Sequence, residues 1–234
     1  MTDGSSMVAA ATLIGDYARA KMLTALMGGR ALTATELAGA AGITKQTGST
    51  HLRKLLDARF VAMEAHGRHR YFRIADEEVA QLLEGMMSFS VRGAARMHAT
   101  GPKDPALRKA RVCYDHLAGE LGVLLYASLH ERHAFEFEGP TVGLSAQGER
   151  LISEFGVDAH AMRNQKRALC RVCMDWSERR HHLAGAVGAA LLARVIELGW
   201  AVRDKSSRAV CFRPNGERQF RNYFALNGDR HAVV

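Results

Sequence analysis

Proline is scarce: the 234 residues hold four, and two of these, Pro102 and Pro105, fall in one short stretch. Cysteine is equally scarce, and four thiols in a chain with no sign of export do not make a disulfide framework. Met1 to Ser6 are polar and carry no basic segment ahead of an apolar run, which predicts no secretory signal and a cytoplasmic protein. Long apolar runs are missing too. Leu183 to Ala193 is the longest nearly uncharged one, far short of the roughly 20 residues of a spanning helix, so no membrane association is expected. Aromatic residues make up only 7% of the chain, so Trp176, Trp200, Phe135 and Phe137 read as core filling before they read as the lining of an organic-ligand pocket. Neither a glycine-rich phosphate loop, nor a nucleophile elbow, nor paired carboxylates with supporting bases is found.

What is present is an ordinary globular composition, 47% hydrophobic and 24% charged, which excludes a disordered chain, a collagen and a coiled-coil rod. The net charge is +8. The excess is concentrated: between Ala41 and Ala75 lie Lys45, Arg53, Lys54, Arg59, Arg68, Arg70 and Arg73 against only Asp57 and Glu64. A concentrated basic stretch suits a polyanionic partner.

Periodicity along the first third gives an element order. Val8 to Met27 has apolar residues at helical spacing and stops at Gly28-Gly29. Thr33 and Glu36 have the spacing of a capping box for a short helix that ends at Gly42, and Thr44 can cap a second helix running to about Arg59. From Phe60 to Ile74 apolar and polar residues alternate on both sides of His66-Gly67, as in a β-hairpin. Helical spacing returns from Glu77 to Val91. Helix, helix, helix, hairpin, helix is the order of a winged helix-turn-helix. The third helix would offer Lys45, Gln46, Thr47, Ser49, Thr50 and Arg53 to base edges and phosphates in a major groove, and the hairpin tip would add Arg68, His69 and Arg70.

These residues resemble the ArsR/SmtB family of repressors. Thr44 to Val61, with His51-Leu52 and Leu55 in place, is similar to that family's recognition helix; Gly67 to Ile74 resembles its wing; Leu13 to Leu23 resembles its Leu-Gly-Asp-Pro-x-Arg opening, with Tyr17 in place of proline. The resemblance covers about residues 10–90. It implies a homodimer, paired through the first and last helices of this domain, that reads a pseudo-palindromic double-stranded operator. Two departures stand out. Gly48 replaces a β-branched residue in the recognition helix. The family's metal ligands are also missing: no Cys-x-Cys occurs in Thr35 to Ala40, and the helix from Asp76 lacks the aspartate and histidine pairs of its zinc sensors.

The stretch from His98 to Ala110 has no apolar periodicity and reads as a linker between a winged-helix domain, 1–97, and a second domain, 111–234. The second domain contains an internal repeat, 111–150 and 171–218. Arg111-Val112-Cys113-Tyr114-Asp115 matches Arg171-Val172-Cys173-Met174-Asp175, His116-Leu117-Ala118-Gly119 matches His182-Leu183-Ala184-Gly185, and Gly148-Glu149-Arg150 matches Gly216-Glu217-Arg218. The offset is 60 residues at the cysteines and 66 at the histidines, so the second copy carries six extra residues. Each copy is expected to form a helix, a hairpin and a helix, with Asp115 capping the first helix, and the two copies to pack about a pseudo-twofold axis on their matched glycines. The fold class is then mainly α (α+β): a winged helix-turn-helix followed by a duplicated helix–hairpin–helix domain.

The chemistry-bearing residues of the second domain are Cys113, His116, Cys170, Cys173, His181 and His182. Cys113 and His116 are three apart and would share a helix face, and Cys170 and Cys173 have the same spacing. Three readings stay open. The residues are structural, the cysteines acting as small buried hydrophobes; or they bind zinc or another thiophilic ion; or a thiol, activated by a cation such as Arg111 or Arg171, senses redox state or electrophiles. Cys211, in an expected strand, reads as core. The sequence as a whole predicts a non-enzymatic regulator of transcription, a repressor controlled by an effector at the second domain. The alternatives are a non-specific architectural DNA-binding protein and an enzyme carrying a winged-helix module.

Overall fold

The computed structural model describes residues 4–66, 69–94, 102, 104–139, 141–163 and 167–226. The chain divides into two compact units, Met1–Met86 and Met87–Val234.

The first unit begins with two helices, α1 (Gly4–Ile14) and α2 (Tyr17–Leu26), where the sequence predicts one. Asp16 causes the break. Its backbone is extended and its carboxylate accepts from the Arg19 amide, so it caps a new helix. The Arg19 side chain turns back to donate to the carbonyls of Thr12 and Leu13, satisfying the open end of α1.

Strand β1 (Leu32–Thr33) leads into α3 (Ala34–Ala41), which starts in a complete capping box between Thr33 and Glu36 and ends on a left-handed Gly42. Helix α4 (Lys45–Asp57) follows, with Thr44 as its cap. The hairpin β2 (Val61–His66) and β3 (His69–Ile74) comes next, paired from Val61 with Ile74 to His66 with His69. Strand β1 adds antiparallel to β3, an edge that its two residues are too few to announce. Helix α5 (Glu77–Ala94) completes the winged helix-turn-helix. Met22, Leu23, Leu26, Leu37, Leu52, Leu55 and Phe72 fill its core.

Gly48 has a packing reason. A Cβ there would sit 2.9 Å from the Cβ of Ala38 and 3.4 Å from the Met22 Cε. Glycine lets α4 cross close over α3, away from the exposed side of the helix.

In the second unit, α6 (Pro105–Lys109), a short helix capped by Asp104, lies within the span expected as linker. The hairpin β4 (Arg111–Cys113) and β5 (His116–Ala118) leads into α7 (Glu120–Glu131); the hairpin β6 (Phe135–Glu138) and β7 (Thr141–Leu144) leads into α8 (Ala146–Glu154). After the short α9 (Ala159–Met162) the order recurs: β8 (Arg171–Met174), β9 (His181–Ala184), α10 (Gly185–Glu197), β10 (Ala201–Arg203), β11 (Val210–Phe212) and α11 (Pro214–Tyr223).

Both cysteine segments are therefore hairpins and not the predicted helices. Asp115 lies in a two-residue turn, Leu117 is in a strand, and α7 starts at Gly119 without a side-chain cap. The three-residue spacing of Cys113 and His116 fits a helix face and a tight hairpin equally well, and the structure pairs them directly across a hairpin whose two strands are buried throughout. The six extra residues of the second copy are the longer turn between Met174 and His181.

The hairpins and helices exchange partners. Helix α7 packs on β9, and α10 packs on β5. Strand β4 is bridged to the β11 hairpin at Arg111 and Ala209, and β7 is bridged to Cys170 just before β8. Gly122 and Gly188 make the crossing possible. A Cβ on Gly122 would lie 2.4 Å from the Leu117 carbonyl oxygen and 3.7 Å from the His182 Cβ; one on Gly188 would lie 2.5 Å from the Leu183 carbonyl oxygen and 3.3 Å from the His116 Cβ. The core of this unit runs through Leu121, Leu125, Leu151, Leu191, Leu192 and Phe220. The four aromatics do not line one pocket: Phe135 stacks on Tyr126, Trp200 packs edge-on against Phe155, Trp176 lies over Arg111, and Phe137 is exposed.

Candidate nucleic-acid interface and cysteine–histidine centre

Helix α4 buries Gly48, Leu52 and Leu55 against its own unit and turns the opposite face outward. Lys45, Gln46, Thr47, Ser49, Thr50 and Arg53 are all exposed on it. Local hydrogen bonds set the short side chains: Thr47 meets the Thr44 cap at 2.9 Å, Ser49 donates to the Lys45 carbonyl and Thr50 to the Gln46 carbonyl. His69 and Arg70 are exposed on β3, and Arg68 lies outside the described residues. Between helix and wing runs an open groove of about 600 Å³ lined by Gln46, Ser49, Thr50, Arg53 and Arg70, among others. A convex polar helix beside a basic strand is the shape that enters a major groove while its flank lies along phosphates.

The position of α4 is fixed from behind. Arg19, 7% exposed, reaches His51 Nδ1 at 3.2 Å and is paired with Asp16. The Gly-Asp-x-x-Arg opening and the recognition-helix histidine are thus one polar network, tying α1, α2 and α4 together.

In the second unit four of the six predicted residues converge. Cys113 faces His116 across one hairpin, and Cys173 faces His182 across the other, each as directly opposed residues. Opposed residues project from the same side of a hairpin, and the packing of β5 beside β9 brings the two pairs together. One ligand atom from each of Cys113, His116, Cys173 and His182 falls within a set whose members all lie within 4.8 Å of one another. The sulfurs are 4.0 Å apart and the two histidine Nε2 atoms 3.2 Å apart. Three of the four residues are buried and Cys173 is half-buried.

The other two lie apart from the set. Cys170 is buried next to β7, where burial pushes its thiol up to about 12. His181 is exposed at the strand's start. Cys211 sits in β11 as expected but is exposed, not core, because its side of the strand faces out.

Two carboxylates stand behind the imidazoles, and the sequence reading gave them no such role. Asp115 Oδ1 is 3.2 Å from His116 Nδ1, and Asp175 Oδ2 is 3.5 Å from His182 Nδ1. Asp175, fully buried, also accepts from Arg111 at 2.7 Å, from the Gly119 amide at 2.7 Å, and from the Ser177 and Glu178 amides. Arg111, expected as a thiol-activating cation, is consumed by this pairing. Asp115 is held by Arg167 at 2.6 Å. Their one signal in sequence was recurrence: the same Asp follows the same Arg-Val-Cys in both copies.

Cys173 is held well below the ordinary thiol range by the Cys113 thiol hydrogen-bonded to it, with help from His116 and His182 and against the cost of burial. Burial pushes His182 down, toward neutral imidazole. Burial raises Asp175, but the Arg111 guanidinium, His182 and the backbone amides outweigh it and keep the carboxylate ionised. Asp115 is lowered in the same way: His116 and Arg167 overcome its burial.

Comparison with known proteins gives the family. A helix-turn-helix domain model matches residues 14–64. The chain is 39% identical over 212 residues to an uncharacterized HTH-type transcriptional regulator, YdfF, of Bacillus subtilis (strain 168), covering 91% of this chain and 94% of that one. Among solved structures it is similar to the homodimeric winged helix-turn-helix DNA-binding domain of Mb0332 from Mycobacterium bovis, a possible ArsR-family regulator (22% identity, 40% of this chain and 86% of that one, TM-score 0.37). It is also similar to HlyU from Vibrio cholerae (19%, 38% and 97%, TM-score 0.35) and to the AntR antimony-specific transcriptional repressor (28%, 40% and 83%, TM-score 0.35). No helix among the described residues is long and apolar enough to cross a membrane. With a helix-turn-helix domain in its first unit and YdfF as a relative along nearly its whole length, the chain belongs to the HTH-type transcriptional regulators.

Proposed function

We propose that the protein is a cytoplasmic, non-enzymatic repressor that binds a pseudo-palindromic operator as a homodimer and is switched by an effector at the cysteine–histidine centre of its second unit. The carrying observation is the exposed face of α4, where Lys45, Gln46, Thr47, Ser49, Thr50 and Arg53 stand clear of the core beside the basic wing. Dimerisation is supported by apolar residues left uncovered on the outer helices: Met7 and Val8 on α1, Leu82 and Met86 on α5. Of the first predicted helix, the α2 part contributes Met22, Leu23 and Leu26 to the inside of the unit, which leaves α1 for pairing.

The second domain, residues 111–234 after a linker of 98–110, is read as a gene-level duplication of 111–150 into 171–218. The recurring element order, the exchanged helices and the matched Cys-His hairpins support that reading. An effector acts only through a difference in affinity between two conformations, and a centre that joins both copies is placed to bias how they pack.

The test is anisotropy on labelled genomic fragments against random competitor at moderate ionic strength. Selective binding is expected, with Arg53→Ala and Arg70→Ala each weakening it and reducing the salt slope by about 1, as one phosphate contact contributes. Equal affinity for every fragment overturns the repressor reading in favour of an architectural DNA-binding protein.

A further inference from the structure

We propose that Cys113, His116, Cys173 and His182 form a closed, four-coordinate Cys2His2 site for a thiophilic divalent ion of the zinc class, and that Asp115 and Asp175 are positioning residues that fix the two imidazoles. The proposal deepens the regulator reading by naming the class of effector and rests on it for that role alone.

Geometry argues first. A tetrahedral ion with sulfur ligands at about 2.3 Å and imidazole nitrogens at about 2.0–2.1 Å requires separations of about 3.8 Å between the sulfurs and about 3.3 Å between the nitrogens. The side chains stand at 4.0 Å and 3.2 Å. Two histidines whose Nε2 atoms stand 3.2 Å apart inside a protein share at most one hydrogen bond, in which one nitrogen must donate to the other. An ion between them engages both nitrogens.

The surroundings argue independently. His116 Nδ1 lies 3.2 Å from Asp115 Oδ1, the arrangement that fixes the tautomer with Nε2 free to ligate, and His182 Nδ1 lies 3.5 Å from Asp175 Oδ2, beside it without a hydrogen bond. Each carboxylate is in turn anchored by an arginine, Asp115 by Arg167 and Asp175 by Arg111. Two thiolates and two neutral imidazoles balance a divalent charge, and soft sulfur selects zinc-class ions over magnesium or calcium. All four positions come from protein, which suits a structural or sensory ion and leaves no coordination position for a reacting water. Because one hairpin of each copy supplies one Cys and one His, binding ties residues some 60 positions apart across the junction of the copies.

The experiment uses the full chain, purified under reducing conditions, demetallated, and titrated with Zn2+ against a chelator of known affinity, with Co2+ as the spectroscopic probe. Expected are one ion per chain and a tetrahedral, thiolate-ligated Co2+ spectrum. Cys113→Ser and Cys173→Ser should each abolish both, and Cys211→Ser should leave both intact. Asp115→Asn should keep the stoichiometry, weaken affinity about 10- to 100-fold and shift the Co2+ bands, which a merely structural role would not do. Operator affinity should differ at least about fivefold between zinc-loaded and zinc-free chain.

Absence of binding, binding that survives both cysteine variants, or a Cys113–Cys173 disulfide in place of metal overturns the site. Equal operator affinity with and without zinc overturns its effector role. A zinc-free chain that still selects its operator leaves the regulator reading standing, whereas a chain that selects no DNA in either the zinc-loaded or the zinc-free state removes that reading and leaves the site.

Discussion

Arg111 shows how a residue predicted for one task is bound to another. It is 1% exposed, pairs with Asp175 at 2.7 Å, donates to Ser177 and the Leu107 carbonyl, and lies 5.0 Å from the Trp176 ring centre. Truncating it strands an ionised carboxylate in the core of the second unit. Arg111→Ala should therefore cost about 3–5 kcal/mol, read as a lower midpoint in denaturant titration, with α4 and its DNA contacts untouched. Sequence named Arg111 because it is repeated, but burial and charge pairing are set by what lies 64 positions away. Cys113, His116, Cys173 and His182 are the repeated members of the six-residue set, and the pairing of the two hairpins brings these four together apart from Cys170 and His181.

Among the elements, caps were the most readable feature because they are local. Thr33 and Glu36 form the expected reciprocal box, and Gly42 and Thr44 bound the turn between α3 and α4. Thr33→Ala should lower stability by about 1 kcal/mol at neutral pH. The Thr33 amide and hydroxyl hold the Glu36 carboxyl below its ordinary 4.5, so this part of the contribution is present above that value and is lost as pH falls through the lower, folded-state value. Melts of wild type and variant should draw closer without converging as pH falls through the lowered Glu36 value, because the Thr33 hydroxyl still accepts from the Glu36 amide when the carboxyl is protonated. Elements defined by distant partners were misread. The hairpins at Cys113 and Cys173 passed for helices because a spacing of three satisfies both geometries, and the α1–α2 break at Gly15-Asp16 was hidden by continuous helical spacing on both sides.

For the whole molecule, the apolar residues Met7, Val8, Leu82 and Met86 stay exposed on helices at the start and end of the first unit. Covering them with a second copy would remove that surface from water. Leu82→Glu combined with Met86→Glu should shift sedimentation from dimer to monomer and weaken operator binding, because one half-site contact replaces two. A variant that remains dimeric places the pairing surface elsewhere.

The sequence by itself determined the winged helix-turn-helix and the residues on the outer face of α4, and it offered a downstream repeat to compare. Those follow from periodicity, capping spacing and repetition, all of which act within a few residues or leave a copy to compare. Tertiary structure alone decided that α7 lies on β9 and α10 on β5, that two Cys-His hairpins meet, and that Asp115 and Asp175 stand behind their histidines. Such encounters depend on backbones approaching closely at Gly122 and Gly188, and no local pattern encodes which distant strand will fill the space a missing side chain leaves.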